Sequence, residues 1–180
     1  MAIIGTPPGG GGDIEPISQK YMTVTSVSGS AGISTGITFT GTIQIVEDGV
    51  STLYTTSPFQ GFLKNATVYG DNITIFNCGS TNLTGVDPSH NDQLVTLICG
   101  YSNLTDLDIS GNPLLTELVA NDNHLPTSVV DKILSDLVVH GQYDGSLRLE
   151  NYSDTGENSA PSTQTDVETL QSRGWTVTTA

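Results

Sequence analysis

The most informative stretch of this chain spans residues 94 to 112 and reads Leu94-Val-Thr-Leu-Ile-Cys-Gly-Tyr-Ser-Asn-Leu-Thr-Asp-Leu-Asp-Ile-Ser-Gly-Asn112. The same spacing of apolar residues occurs 21 positions earlier and 21 positions later. The columns that coincide are Ile73, Leu94 and Leu115; Phe76, Leu97 and Leu118; Cys78, Cys99 and Ala120; Leu83, Leu104 and Leu125; Val86 and Leu107; Asn91 and Asn112. An internal period of about 20 to 50 residues is typical of stacked repeat units.

Stacking explains why these columns are apolar. Each unit contributes a short strand, at 94–99 and again at 115–120, in which alternate side chains such as Leu97 and Cys99 point inward. Neighbouring units then join their inward side chains into one ridge that a single unit could not bury.

The stretch 94–112 resembles the leucine-rich repeats common in Bacteroidetes bacteria, whose unit reads L-x-x-L-x-C followed by L-x-x-L-D-V-S-x-N. Thr81 and Ser102 depart from the asparagine usual in that family, and Pro88 departs in the earlier unit. The ending Gly174-Trp-Thr-Val177 is similar to the "GWTV" that closes such proteins. The resemblance implies a mainly β, α+β fold: a short solenoid of parallel strands with period 21 and terminal caps.

Four segments are expected along the chain. Residues 1–19 are predicted to be a flexible Gly/Pro-rich arm, residues 20–58 a small β unit, residues 59–126 the repeat solenoid, and residues 127–180 a cap of helix, strand, helix and strand. In the β unit, Ile37, Phe39, Ile43 and Ile45 alternate with polar residues, and Glu47-Asp-Gly49 is a turn signal. In the cap, Val130, Ile133, Leu134, Leu137 and Val138 have helical spacing, which Gly141 ends.

Composition excludes several classes of partner. The chain has 19 acidic and 5 basic residues, a net charge of −14, so it has few cations with which to bind nucleic acid. No apolar run reaches the roughly 18 residues of a membrane span, so no membrane insertion is expected. The N-terminal residues lack the pattern of a classical export signal, which is informative only if the chain is a full gene product.

Side chains capable of chemistry are scattered. Cys78 and Cys99 share a repeat column and are interpreted as core residues, with a disulfide between adjacent rungs as the alternative. His90, His124 and His140 lack metal-ligand spacing and are interpreted as surface residues. The chain has no nucleophile elbow and no phosphate-binding loop. We therefore expect no catalytic residue, no metal and no cofactor.

Two surface features of the repeat remain. The acidic residues Asp106, Asp108, Glu117 and Asp122 lack the spacing of a calcium loop and are interpreted as a solvated acidic patch. The outward strand positions are predicted to form a binding face, consisting of Ile75, Asn77, Val95, Thr96, Ile98, Thr116, Glu117 and Val119. Its apolar members favour two interpretations equally, cover by a neighbouring segment or subunit and a genuine ligand face.

The sequence thus predicts a non-catalytic structural or binding module. The preferred hypothesis is a virion fibre, spike or decoration protein of a phage of Bacteroidetes-type bacteria, which attaches to other virion proteins through residues 1–19 and binds a protein or surface glycan. The small β unit suggests a homo-oligomer. The alternative is a bacterial cell-surface adhesin fragment, located outside the cell; an enzyme is the least favoured hypothesis.

Overall fold

A computed structural model describes residues 16–26, 33–79, 83–152 and 157–180. The strands in chain order are β1 (Tyr21–Ser26), β2 (Ile33–Phe39), β3 (Ile43–Glu47), β4 (Val50–Tyr54), β5 (Phe59–Leu63), β6 (Ala66–Tyr69), β7 (Ile73–Asn77), β8 (Leu83–Asp87), β9 (Thr96–Ile98), β10 (Glu117–Val119), β11 (Ser146–Arg148) and β12 (Thr176–Thr178). The helices are α1 (Thr127–His140) and α2 (Thr165–Ser172), which lie before and after β11.

The strands form two sheets. One sheet has five strands in the order β4-β3-β6-β1-β8, and the other has seven in the order β12-β11-β10-β9-β7-β2-β5. The chain crosses repeatedly between the two sheets. The five-stranded sheet contains β1, β3, β4, β6 and β8, and the seven-stranded sheet contains all the other strands. The apolar sides of both sheets meet in one hydrophobic core.

The predicted fold class, a leucine-rich-repeat solenoid of parallel strands, is wrong. The five-stranded sheet is antiparallel at every pairing. The seven-stranded sheet is mixed, because β2 pairs antiparallel with β7 and β5 pairs antiparallel with β2. The structure is therefore mainly β, built from a mixed and an antiparallel sheet with two helices among the described residues.

The 21-residue spacing of the sequence reflects strand register in part of the larger sheet. Ile75 is paired with Thr96, and Thr96 with Glu117, in parallel ladders. The middle residues Phe76, Leu97 and Leu118 form one inward row and are fully buried. A parallel ladder of this kind still has a free edge at β7. That edge is filled by β2, whose Ile37 lies opposite Phe76 and extends the same inward row.

The alternating residues Ile37, Phe39, Ile43 and Ile45 belong to two strands. β2 ends at Phe39, and Gly41 has a φ of 83°, a left-handed conformation that glycine adopts without a Cβ penalty. β3 begins at Ile43 and belongs to the other sheet. All four apolar residues of the segment are nevertheless buried, because each sheet turns its own alternate side chains into the common core.

The C-terminal elements complete the core. α1 buries Val130, Ile133, Leu134 and Leu137, and it ends at Gly141, whose φ is 75°. α1 packs against α2, which also contacts β12. No side chain caps the start of α1, because Pro126 occupies the cap position.

The first residues of the predicted arm, 1–15, lie outside the described residues, as does Thr81. Residues 16–19 are described and contact the five-stranded sheet and its neighbouring turn. The Ile17 amide donates to Gln44 Oε1 at 3.0 Å, and Ser18 Oγ donates to Asp71 Oδ1 at 2.7 Å. This part of the segment is therefore held by the fold.

Buried asparagines satisfy the backbone of the turns between parallel strands. Asn123, which is fully buried, donates from Nδ2 to the carbonyls of Cys99 and Ala120 at 3.1 and 3.0 Å and accepts from the Leu104 amide at 3.0 Å. Asn112 donates in the same way to the carbonyls of Pro88 and Asn91 at 2.8 and 2.7 Å. Each asparagine side chain thus joins its own turn to the preceding turn. Because both side chains are buried, water cannot replace these hydrogen bonds.

Replacement of Asn123 by alanine should therefore be costly. Asn123→Ala leaves buried carbonyls and an amide without partners, so we expect the free energy of unfolding to fall by about 2–4 kcal/mol. Urea unfolding followed by circular dichroism measures the change. The exposed Asn72 provides the control, because Asn72→Ala should change stability by no more than about 0.5 kcal/mol. Equal stability of the two variants would contradict the proposed role of the buried amide.

Candidate functional site

The outward face of the seven-stranded sheet contains most of the binding residues that the sequence predicts. Since side chains alternate along a strand, the residues on either side of the buried row point away from the core. They form two parallel rows across the sheet. One row consists of Ile75, Thr96, Glu117, Ser146 and Thr176, and the other of Asn77, Ile98, Val119, Arg148 and Thr178.

Six of the eight predicted binding residues lie in these two rows. Ile75 is 36% exposed, and Ile98 and Val119 are half-buried neighbours on adjacent strands. Val95 and Thr116 do not belong to the rows, because each precedes its strand. The Val95 carbonyl accepts from the amides of both Thr116 and Glu117, so these two residues lie at the entry to the paired strands.

The antiparallel strands extend this face beyond the predicted residues. Thr38 lies opposite Ile75, and Gly36 lies between Asn77 and Gln60. Gly36 has no side chain, and a depression of about 300 Å³ opens at this position. Its lining residues are Gly36, Thr38, Gln60, Ile75, Asn77 and Gly79. A Cβ at Gly36 would lie 2.9 Å from Gln60 Nε2, so the Gln60 amide closes over the glycine.

Charges on this face occur only towards the β12 end of the described sheet. Thr96 Oγ1 donates to Glu117 Oε2 at 3.1 Å. Further along, Arg148 donates from Nε to Glu150 Oε1 at 2.9 Å and from Nη2 to the Tyr152 hydroxyl at 3.0 Å. These hydrogen bonds raise the pKa of the Arg148 guanidinium, that of Glu150 first. Arg148 also lies over the exposed Tyr152 ring, 5.5 Å from its centroid.

Sequence reasoning missed Gly36, Thr38, Gln60 and Phe62 as members of the face. Phe62 is 70% exposed and lies on the same side of β5 as Gln60. No local pattern could assign these residues, because antiparallel pairing of β2 with β7 is a contact between distant segments. Arg148 was missed for a related reason. Its strand follows β10 after the α1 helix, so it has no place in the 21-residue columns.

The two cysteines are free thiols and are fully buried. Burial raises the pKa of Cys99 to about 12. Burial also raises the pKa of Cys78, and the charge of Cys99 adds to this effect. Both sulfur atoms are therefore neutral at physiological pH, and they pack in the core as the sequence predicted.

The predicted acidic patch is not one surface. Asp122 is buried, where Asn121 Nδ2 and the Tyr152 amide donate to its two carboxylate oxygens at 2.7 and 2.9 Å. Glu117 lies on the outward face described above. Only Asp106 and Asp108 remain close, so the four carboxylates serve different parts of the structure.

A second concavity of about 390 Å³ lies on the outward side of β1 and β8. Its lining is rich in hydroxyl and carboxylate groups: Thr23, Thr25, Thr84, Thr105, Ser89, Asp87, Asp106 and Asp108. Hydrogen bonds from Ser110 and from Lys132 lower the pKa of Asp108 to about 2. Two of these carboxylates already have partners within the protein. Asp87 accepts a hydrogen bond from the Ser89 hydroxyl, and Asp108 forms an ion pair with Lys132 at 2.9 Å.

The histidines have different surroundings. His90 is exposed and stacks on Tyr21, with ring centroids 4.3 Å apart. His124 and His140 are half-buried, and His140 Nε2 lies 3.4 Å from the Ser110 carbonyl oxygen. Within the described ranges, no group of three His, Cys, Asp or Glu side chains is arranged to hold a metal ion.

Comparison of the chain with family models, with curated proteins and with solved structures finds no match. Among the residues that the structure describes, no helix has the length and hydrophobicity needed to cross a membrane. Inferences about function therefore rest on the residues of this chain.

The buried thiols should resist chemical modification. At pH 8 we expect iodoacetamide to alkylate Cys78 and Cys99 at least about a hundredfold more slowly in the folded protein than in urea, because burial both raises the pKa and blocks access. Mass spectrometry after timed quenching measures the two rates. Alkylation of the folded chain at the rate of the unfolded chain would show that the thiols are accessible.

Proposed function

We propose that this protein is a non-catalytic binding module that engages its partner through the outward face of the seven-stranded sheet. The observation that carries this proposal is the apolar strip of Ile75, Ile98 and Val119 among polar residues. Ile98 and Val119 are direct neighbours in one row, and Ile75 lies diagonally from Ile98, two residues before Asn77. An apolar centre with few charges and a polar rim is typical of protein interfaces. Arg148 and Tyr152 at one end of the face are residue types that often dominate binding energy. Phe62 at the other end exposes an aromatic ring, a residue type that is enriched at interfaces.

A protein partner is favoured over a glycan by the centre of the face. Ile98 and Val119 are neighbours on adjacent strands, and their aliphatic side chains suit apolar side chains of another protein. The polar neighbours Thr38, Asn77 and Gln60 around the depression provide hydroxyl and amide groups for hydrogen bonds to a bound chain or sugar.

The proposed setting is a virion fibre, spike or decoration protein of a phage of Bacteroidetes-type bacteria. The support is the resemblance of residues 94–112 to repeats of those bacteria, together with the Gly/Pro-rich residues 1–19 as an attachment segment. A bacterial cell-surface adhesin is the second candidate, supported by the same resemblance. If the protein is a virion component, we expect genes for tail or capsid proteins beside its gene and the chain itself in purified particles. If it is an adhesin, we expect secretion genes beside its gene.

Binding should depend on the apolar strip. With fluorescently labelled protein and intact Bacteroidetes cells as the probe, Ile98→Asp should weaken binding at least about tenfold, because it places a charge at the centre of the face. Val139→Asp is the matched control, since Val139 is 80% exposed on α1 and lies outside the face.

Circular dichroism and thermal melting establish that both variants are folded before binding is compared. If folded Ile98→Asp binds cells as the unmodified protein does, while the unmodified protein binds well, the outward face is not the binding surface. If both variants lose binding equally, the effect is one of added negative charge, and the face is again excluded.

A further inference from the structure

The depression over Gly36 differs in charge from the concavity beside β8. None of its six lining residues has an ionisable side chain, and Lys64, the residue after β5, is not part of the lining. The concavity beside β8, in contrast, includes the carboxylates of Asp87, Asp106 and Asp108. Because the depression offers no counter-charge to a ligand, it favours a neutral one.

A carboxamide lies on either side of Gly36. β2 places this glycine between Gln60 of β5 and Asn77 of β7. A Cβ at Gly36 would lie 2.9 Å from Gln60 Nε2 and 3.6 Å from Gln60 Oε1, so both polar atoms of this side chain are close to the glycine. The Gly79 amide donates to Asn77 Oδ1 at 3.4 Å, which orients the second carboxamide with Nδ2 as its remaining donor.

The polar groups of the depression match the hydroxyl groups of a sugar. The two carboxamides and the Thr38 hydroxyl supply hydrogen-bond donors and acceptors around one small space. A sugar hydroxyl also donates and accepts. A ring that carries several hydroxyls can therefore form hydrogen bonds with all of these side chains at once.

A peptide strand is a poorer fit at this position. At Gly36, β2 pairs with β5 on one side and with β7 on the other, so the backbone of this strand is already engaged within the sheet. Recognition of a peptide as an added strand requires a free edge. A ligand in the depression must be held by side chains, which suits a ring with hydroxyl groups around its rim.

Phe62 and Ile75 supply apolar surface beside these polar groups. Phe62 is 70% exposed and follows Gln60 by two residues on the same side of β5, about 7 Å along the strand. Ile75 is 36% exposed and lines the depression from β7. The C–H groups of a sugar ring form an apolar face, which can pack on an aromatic ring while the hydroxyls at the rim form hydrogen bonds.

We propose that the depression over Gly36 binds one neutral sugar ring, with Gln60 and Asn77 hydrogen-bonded to its hydroxyls and Phe62 against its C–H face. This inference rests on the proposed function, because it assigns a ligand class to one part of the same outward face. A free saccharide and a terminal unit of a surface glycan present the same ring, so either can supply it.

The size of the depression sets the extent of the ligand and its affinity. A volume of about 300 Å³ is at the lower end of the range for ligand pockets, so the depression accommodates a single ring. A sugar ring has about a dozen non-hydrogen atoms, and the usual contribution per atom gives a dissociation constant in the millimolar range.

NMR titration of the isotopically labelled full chain tests the proposal. The probes are the methyl glycosides of glucose, galactose, mannose and N-acetylglucosamine, each raised to about 50 mM so that millimolar binding saturates. We expect at least one glycoside to shift the side-chain amide signals of Gln60 and Asn77 saturably. The absence of such shifts with all four glycosides overturns the proposal, as do saturable shifts confined to other parts of the protein.

A substitution that fills the depression provides the second test. Gly36→Leu should raise the dissociation constant of the bound glycoside at least about tenfold, because the new side chain occupies the space of the ring. The added Cβ meets only the end of the flexible Gln60 side chain, so we expect the fold to be retained. Gly85→Leu is the matched control, since Gly85 lies in β8 of the other sheet and a Cβ there is 3.5 Å from Thr25.

The control variant should bind the glycoside as the unmodified protein does. If circular dichroism shows that Gly36→Leu is unfolded, Gln60→Ala replaces it and should raise the dissociation constant at least about threefold through the lost hydrogen bonds. Equal affinity of Gly85→Leu and the folded depression variant overturns the sugar site.

Ile98→Asp separates this proposal from the proposed function. Ile98 is not part of the lining, so this variant should bind the glycoside within about threefold of the unmodified protein. A protein that binds cells through Ile98 but binds no glycoside loses only the sugar site. A protein that binds a glycoside at Gln60 and Asn77, and whose cell binding is independent of Ile98, keeps the sugar site and excludes the apolar strip.

Discussion

The burial of one row of apolar side chains determines the rest of this structure. Four side chains from neighbouring strands lie side by side on the inner side of the seven-stranded sheet: Phe76, Leu97, Leu118 and Leu147. Each such side chain contributes about 1.5–3 kcal/mol when it is fully buried. A shift of any strand by one residue would expose its member of the row, so the row fixes the register. Register in turn determines which residues face outward, and those residues form the binding face.

Buried amides hold the connections that this row requires. Parallel strands need long crossovers, and crossovers carry backbone groups into the interior. Asn112 and Asn123 satisfy the carbonyls of the preceding turn. Asn91 occupies the equivalent position one turn earlier, and its Nδ2 has no hydrogen-bond partner in the described part of the chain. The equivalent carbonyls 21 positions earlier would be those of Thr67, in β6 of the five-stranded sheet, and Gly70, directly after it, so no equivalent turn precedes Asn91.

The antiparallel strands β2 and β5 connect the fold to its proposed interactions. They continue the inward row through Ile37 and Phe59 and extend the outward face to Gln60 and Phe62. Gln60 and Phe62 therefore belong to the proposed binding face only through pairing between strands that are distant in the sequence.

The sequence by itself determined the inward residues and the register of β7, β9 and β10, because the columns of Phe76, Leu97 and Leu118 and of Cys78 and Cys99 repeat at a constant spacing. It also determined the buried state of Ile37, Phe39, Ile43 and Ile45, since alternation marks a half-buried strand. Tertiary structure alone decided that β2 belongs to one sheet and β3 to the other, that Asp122 is buried, and that Gln60 and Phe62 border the face. The physical reason is that these features depend on pairing between segments that are distant in the sequence. Periodicity along the chain specifies which side of a strand is buried, but it does not specify which strand lies beside it.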